Sequence, residues 1–181
     1  MRLLSLTVVL TMTLAARAED VEFGPYKSKA PESWKSAAAA NNMRVYQATL
    51  PKAEGDTEDA ELVVFFFGEG GGGGVKANID RWKTSIKPPE GKKIDDVSKV
   101  TEMKVNGDKV TLTYLDIAEG MYLSKKQPFN PNSPTVEKDG FRMLGVVIEC
   151  DKGPYFVRVT GPKKTVEKHK KAFDEWVKGI K

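Results

Sequence analysis

The sequence predicts an α+β fold, a mainly antiparallel sheet flanked by helices, and three observations carry that expectation. Two pairs of β-patterned segments are joined by turns short enough to force antiparallel neighbours: 97–105 with 110–117 across Asn106-Gly107, and 141–150 with 155–160 across Asp151-Lys152-Gly153-Pro154. Two segments carry apolar residues at helical spacing: Val75, Ile79, Trp82 and Ile86 in one, and Val166, His169, Phe173, Trp176, Val177 and Ile180 in the other. Residues 62–67 (LVVFFF) have no polar position and read as an interior strand covered on both faces. Strands in hairpins with few helices are the signature of a sheet carrying helices, not of alternating βαβ units.

In chain order, residues 1–18 have the form of a secretory signal peptide: Arg2 ahead of a short apolar stretch, then Ala16-Arg17-Ala18 before Glu19. Export to the periplasm or the extracellular space is expected. Arg2 and Arg17 leave with this segment and no acid does, so 29 bases against 25 acids become 27 against 25. That near balance argues against a nucleic-acid partner. No later stretch is apolar enough for a membrane span, and Glu19 stands where a lipoprotein would need Cys.

Residues 19–42 form a polar lead segment ahead of a single domain over 43–181, with Trp34 laid onto the core. Residues 37–40 are left open between a short helix and a mobile stretch. Residues 43–50 alternate as a strand ended by Pro51, and 52–60 connect it to 62–67. The glycine tract of residues 70–74 leads into the first helix, which Pro88-Pro89 stops. Residues 118–140 contain Pro128, Pro131 and Pro134 without a sustained period and read as a long loop, a feature that is functional or mobile in a compact domain. Gly161-Pro162 opens the last helix, Pro being suited to a first turn. The lone Cys150 shares a period-2 face with Val146 and Ile148 and is expected to be buried.

Chemistry is sparse. Gly68 to Gly73 satisfies G-x-G-x-x-G between a strand and a helix, the setting of dinucleotide binding. Five consecutive glycines satisfy almost any glycine motif, however, and an Asn-Gly hairpin follows where a parallel strand is required. A flexible connection is the expected reading, and no cofactor is expected. An anion docked at the helix N-terminus stays open as an alternative, with Gly72, Gly73, Gly74, Lys76 and Asn78 as its residues. The same loop would serve the alternative function, a small-anion or phosphate-ligand binding protein or hydrolase. His169 is the only histidine and lies on the apolar stripe of the last helix, so a packed side chain is expected in place of a catalyst. One His and one Cys give no metal site, and no catalytic constellation emerges. Met121, Tyr122 and Phe129, within 118–140, are the candidates for partner recognition.

Several segments carry a resemblance. Pro31-Glu32-Ser33-Trp34, Met43-Arg44 leading to Leu50-Pro51, Phe65-Phe66-Phe67-Gly68 with Asn78-Ile79-Asp80-Arg81-Trp82, Phe141-Arg142-Met143-Leu144-Gly145, and 155–162 (YFVRVTGP) resemble a group of uncharacterised secreted bacterial proteins. That group is in turn similar to the PsbP-like (PsbP/DcrB) superfamily, which includes an extrinsic subunit of photosystem II, the bacterial lipoprotein DcrB and a Ran-binding nuclear transport factor. The resemblance spans about residues 30–178. It implies an α/β/α sandwich and a binding or assembly role without enzymatic activity, and it carries over no residue with a known role. The expected function is therefore an exported, soluble, non-enzymatic binding or accessory protein whose partner is a protein of the cell envelope.

Overall fold

A computed structural model describes residues 19–126 and 132–181; the expected signal peptide and Phe129 lie outside these residues. The chain begins with a two-stranded hairpin, β1 (Glu19–Phe23) and β2 (Tyr26–Ala30). It then enters an eight-stranded sheet through β3 (Lys35–Ala37), β4 (Arg44–Leu50) and β5 (Ala60–Phe66). Helix α1 (Val75–Thr84) follows, then β6 (Ile86–Lys87), a 3-10 turn at Ile94–Asp96, β7 (Ser98–Val105), β8 (Val110–Lys125), β9 (Thr135–Ile148), β10 (Tyr155–Pro162) and α2 (Lys163–Lys178). The sheet order is β3-β4-β5-β10-β9-β8-β6, with β7 also on β8, and every pairing is antiparallel. The fold is α+β, as the hairpins predict.

Strand alternation divides the apolar residues between two faces. Leu62 and Val64 of β5, Leu144, Val146 and Ile148 of β9, and Tyr155, Val157 and Val159 of β10 meet Val166, Phe173, Trp176 and Val177 of α2. Leu115, Ile117, Met143, Val147 and Phe156 turn to the opposite face and meet Ile79 and Trp82 of α1. The expected two-sided burial of LVVFFF holds for Leu62, Val63 and Val64, which sit in β5 between β4 and β10, but Phe65 and Phe66 are half-buried and Phe67, past the end of the strand, is 40 % exposed. Trp82 lies so close to β9 that a Cβ on Gly145 would come within 2.5 Å of the indole, so the helix sits where the strand has no side chain.

Three expectations change. Residues 19–42 hold three strands, and their hairpin β1–β2 completes the α2 side of the core with Val21, Phe23, Tyr26 and Ala30. It is tied to the end of α2 by Ser28 Oγ donating to Trp176 O at 2.6 Å and by reciprocal backbone bonds between Lys27 and Lys181. The Asn106-Gly107 joint is a four-residue loop, with Asn106, Gly107 and Asp108 all at positive φ and Val105 opposite Val110. Most of 118–140 is strand: β8 runs on to Lys125 and β9 starts at Thr135.

His169 is buried on α2, its Nε2 2.9 Å from Pro51 O, and burial lowers its pKa below the ordinary value. Cys150 is partly buried against the α2-side core, free of disulfide, two residues past the end of β9.

Candidate functional site

The antiparallel register places the two sequence-chosen regions at opposite ends of the sheet. Phe66, ahead of the glycine tract, pairs with Tyr155, which pairs with Ile148. Gly120 pairs with Phe141, which pairs with Pro162, at the other end. Residues 141–148 lie between, which at about 3.3 Å per residue separates the regions by roughly 20–25 Å. The structure does not bring them into one site.

At the glycine end, the loop's acceptors converge. Asn78, 2 % exposed on the first turns of α1, directs Nδ2 at the carbonyls of Gly72 (2.8 Å), Gly73 (3.3 Å) and Gly74 (3.0 Å). Arg81 donates to Asn78 Oδ1 and to Gly72 O. Lys76 points away into an ion pair with Asp80. Asn78 thus clamps the loop through its own side chain. Replacing Asn78 by Ala should leave these carbonyls without their donor and lower Tm by roughly 2–10 °C, the scale of one buried hydrogen-bonding group in a domain of this size. A calorimetric scan at the wild-type Tm would contradict the clamp.

At the other end the chain builds a projecting arm. Beyond Phe141, β9 loses β10 and pairs with β8 alone, from Tyr122–Lys138 out to Lys125–Thr135. Phe141–Ile148 is wholly buried, whereas the residues from Thr135 to Gly140 are exposed except for the half-buried Lys138. Register irregularities on either side of Gly120, and Gly140 at a φ of 67°, mark a bulge where the arm leaves the sheet. Bulges of this kind increase local twist and re-aim the strand pair.

The root of the arm is firmly held. Tyr122 stacks on Phe141 with centroids 5.7 Å apart and pairs with Ile86 of β6, and Leu123 N–H donates to Ser85 O at 2.8 Å. Lys138 lies over the Phe141 ring and pairs with Glu58. Tyr122 is therefore a hinge pin of the arm as well as a recognition candidate. Met121 lies on the other side of β8 and lines a groove of about 560 Å³ with Pro88, Pro89, Glu119 and Lys163. Glu119 accepts from Lys163 at 2.7 Å and from Lys92 at 2.9 Å, and these two cations hold its carboxyl down at about 2. The outer arm carries Val136, 36 % exposed, beside Thr135 and Glu137.

A charge network that sequence reasoning missed lies under α2. Arg142, 8 % exposed, holds Asp116 through Nε (3.1 Å) and Nη2 (2.8 Å), and its Nη1 bonds Glu167. Tyr114 Oη donates to Asp174 at 2.7 Å, and Lys170 pairs with the same carboxylate at 2.6 Å. Burial disfavours the Arg142 charge, but the bonds to Asp116 and the charges of Asp116 and Glu167 outweigh it and raise the pKa. Burial, then the bond to Asp174, pushes the Tyr114 phenol far up. Lys170 and Asp174 stand at i,i+4 on α2, but Tyr114, Asp116 and Arg142 come from β8 and β9 and meet the helix only through the packing of α2 on the sheet, so no spacing in the sequence signals the network as a whole.

Among the described residues no group of three or more His, Cys, Asp or Glu side chains is arranged to hold a metal, and no helix is long and apolar enough to cross a membrane.

Compared with solved structures, the chain is similar to cyanobacterial PsbP (CyanoP) from Synechocystis sp. PCC 6803, at a TM-score of 0.52 and 11 % identity over 96 % of this chain and 97 % of that one. The likeness establishes the PsbP-like fold. A protein of unknown function from Pseudomonas aeruginosa, PA94, aligns at a TM-score of 0.43 and 11 % identity over 90 % of this chain and 94 % of that one. No protein-family model and no curated protein sequence matches the chain.

Proposed function

Taking the PsbP-like fold as premise, we propose that this chain is an exported, soluble accessory protein that binds another protein of the cell envelope and catalyses no reaction. The observation that carries the reading is the arm of β8 and β9. It spends sixteen residues of β8 and fourteen of β9 on strands, although only residues 141–148 of β9 are needed to complete the sheet with β10. A ribbon continued past its own core, with Met121 in a groove at its root and Val136 in solvent, is a surface built for contact. Export rests on the leader-like residues 1–18, and a protein partner rests on the apolar and mixed-charge character of the arm. The comparison with cyanobacterial PsbP supports the architecture.

The test keeps the root and removes the outer arm. Tyr122 and Lys138 form the last pair of the root, with Leu123 and Glu137 opposite each other just beyond it, so replacing residues 124–136 by a short Gly-Ser-Gly-Ser loop removes the outer arm without disturbing Tyr122, Phe141 or β6. The truncated protein should keep its near-ultraviolet circular dichroism and lose capture of its partner from envelope extract. Undiminished capture would refute the assignment.

A further inference from the structure

β7 is an edge strand along its whole length, with β8 as its one sheet partner. Ala118 N–H donates to Val97 O at 2.8 Å, and Ser98 stands opposite Ile117 in the next pair. Hydrogen-bonded pairs alternate along an antiparallel ladder. Lys99, Thr101, Met103 and Val105 therefore turn their backbone groups to β8, and Ser98, Val100, Glu102 and Lys104 turn theirs outward. The bond from Glu149 N–H to Thr111 O at 3.3 Å gives the same phase from the other side of β8. None of the outward groups has a backbone partner among the described residues. Val100 is 46 % exposed beside them.

The side chains next to this edge have a definite charge. Lys99, Thr101, Met103, Tyr114, Val177 and Lys178 line a groove of about 290 Å³ between β7 and α2. The two acids reaching it are already engaged, Asp116 by Arg142 and Asp174 by Tyr114 and Lys170. Lys99 and Lys178 enter no ion pair among the described residues; on the opposite face of the strand Lys104 and Glu102 are likewise without an ion pair and offset each other. The uncompensated charge along the groove is positive.

We propose that β7 is a strand-addition site for an extended segment of another polypeptide with acidic side chains at alternate positions. Its backbone pairs with Ser98, Val100, Glu102 and Lys104, its acids face Lys99 and Lys178 across the groove, and its intervening residues lie by Val100. Main-chain bonds supply affinity in this mode and alternate side chains supply selectivity. A second copy of the chain is the poorer occupant, because pairing β7 with itself brings the unpaired lysines of both copies together. The site is separate from the β8–β9 arm and does not depend on it.

The probe is a fluorescein-labelled decapeptide alternating Glu and Val, titrated by anisotropy at low salt against wild type, with a Lys-Val peptide as control. The Glu peptide should bind at least about tenfold more tightly than the Lys peptide. Val100→Pro removes an outward N–H but no bond to β8, a substitution that edge strands accept; it should weaken binding at least about tenfold. Lys99→Glu with Lys178→Glu should do the same. Hydrogen exchange on the wild type provides a readout independent of folding of the variants: the amides of Val100, Glu102 and Lys104 should slow with the Glu peptide, with or without the outer arm. Equal binding of both peptides, full affinity in Val100→Pro, or unchanged exchange at these amides would overturn the proposal. So would a peptide-independent dimer in sedimentation that Val100→Pro dissolves.

Discussion

Replacing Trp176 by Ala should lower the unfolding free energy by about 3–5 kcal/mol, a large share of the roughly 5–15 kcal/mol that holds a domain of this kind together. Trp176 is 1 % exposed and is shared by three elements: its ring lies 5.6 Å from Phe23 of the β1–β2 hairpin, 6.1 Å from Trp34 and 6.1 Å from Phe173. Truncation opens a cavity between the hairpin, the β2–β3 connection and α2, and none of these can close it without giving up its own packing on the core. The indole Nε1 has no protein partner among the described residues, so the ring contributes by packing and not by a hydrogen bond. Trp176→Phe should therefore cost far less than Trp176→Ala, in the range below about 1.5 kcal/mol typical of well-tolerated core exchanges. Urea unfolding of both variants gives the comparison. In Trp176→Ala the amides of β1 and β2 should exchange fastest, since Ser28 and Lys27 dock on that end of α2. Equal losses in the two variants would mean that the indole N–H, not the packing, carries the stability.

Arg142→Met should be the second large loss, about 2–4 kcal/mol, because it strips a nearly buried cation from Asp116 and leaves that carboxylate beside Tyr114 and Asp174. Lys170 stands 4.0 Å from Asp116 and is already committed to Asp174 at 2.6 Å, so it compensates poorly. The double variant Arg142→Met with Asp116→Leu should recover much of the loss, since apolar replacement of a whole buried pair is often neutral or stabilising. A double-mutant cycle reads this directly. Additive losses would show that the two side chains act independently.

The elements that were legible in the sequence are those whose pattern is long or punctuated. LVVFFF has no polar residue to confuse it with an alternating strand, and both helices announce themselves through stripes that include Trp82 and Trp176, although the last residue of each stripe, Ile86 in β6 and Ile180 past α2, lies outside the helix. The hairpin β1–β2 alternates Val21 and Phe23, then Tyr26, Ser28 and Ala30, but its strands are five residues long and two inward positions are small or polar. Short alternation of that kind falls below what periodicity resolves. The long β8 and β9 strands were obscured by their own bulge, because Gly120 and Gly140 break the period where the arm turns out of the sheet. Of the sites, the glycine loop stood out by composition, yet the residue that organises it is Asn78 acting on backbone carbonyls, a role no spacing rule signals. The β7 edge was invisible for a different reason: whether a strand has one neighbour or two is a property of topology and not of its own residues.

Position-specific photocrosslinking tests the central claim, that the arm meets a protein partner. A photoreactive phenylalanine analogue at Val136 places the probe on the exposed outer arm, and the same analogue at Lys35 places it on the exposed strand β3, at the opposite edge of the sheet from β8 and β7. Irradiated in envelope extract, the Val136 variant should yield a discrete adduct that competes away with excess unlabelled wild type and not with the chain truncated at 124–136. The Lys35 variant should yield none. An adduct of equal intensity from both positions, or competition by the truncated chain as effective as by wild type, would contradict the arm as the binding surface.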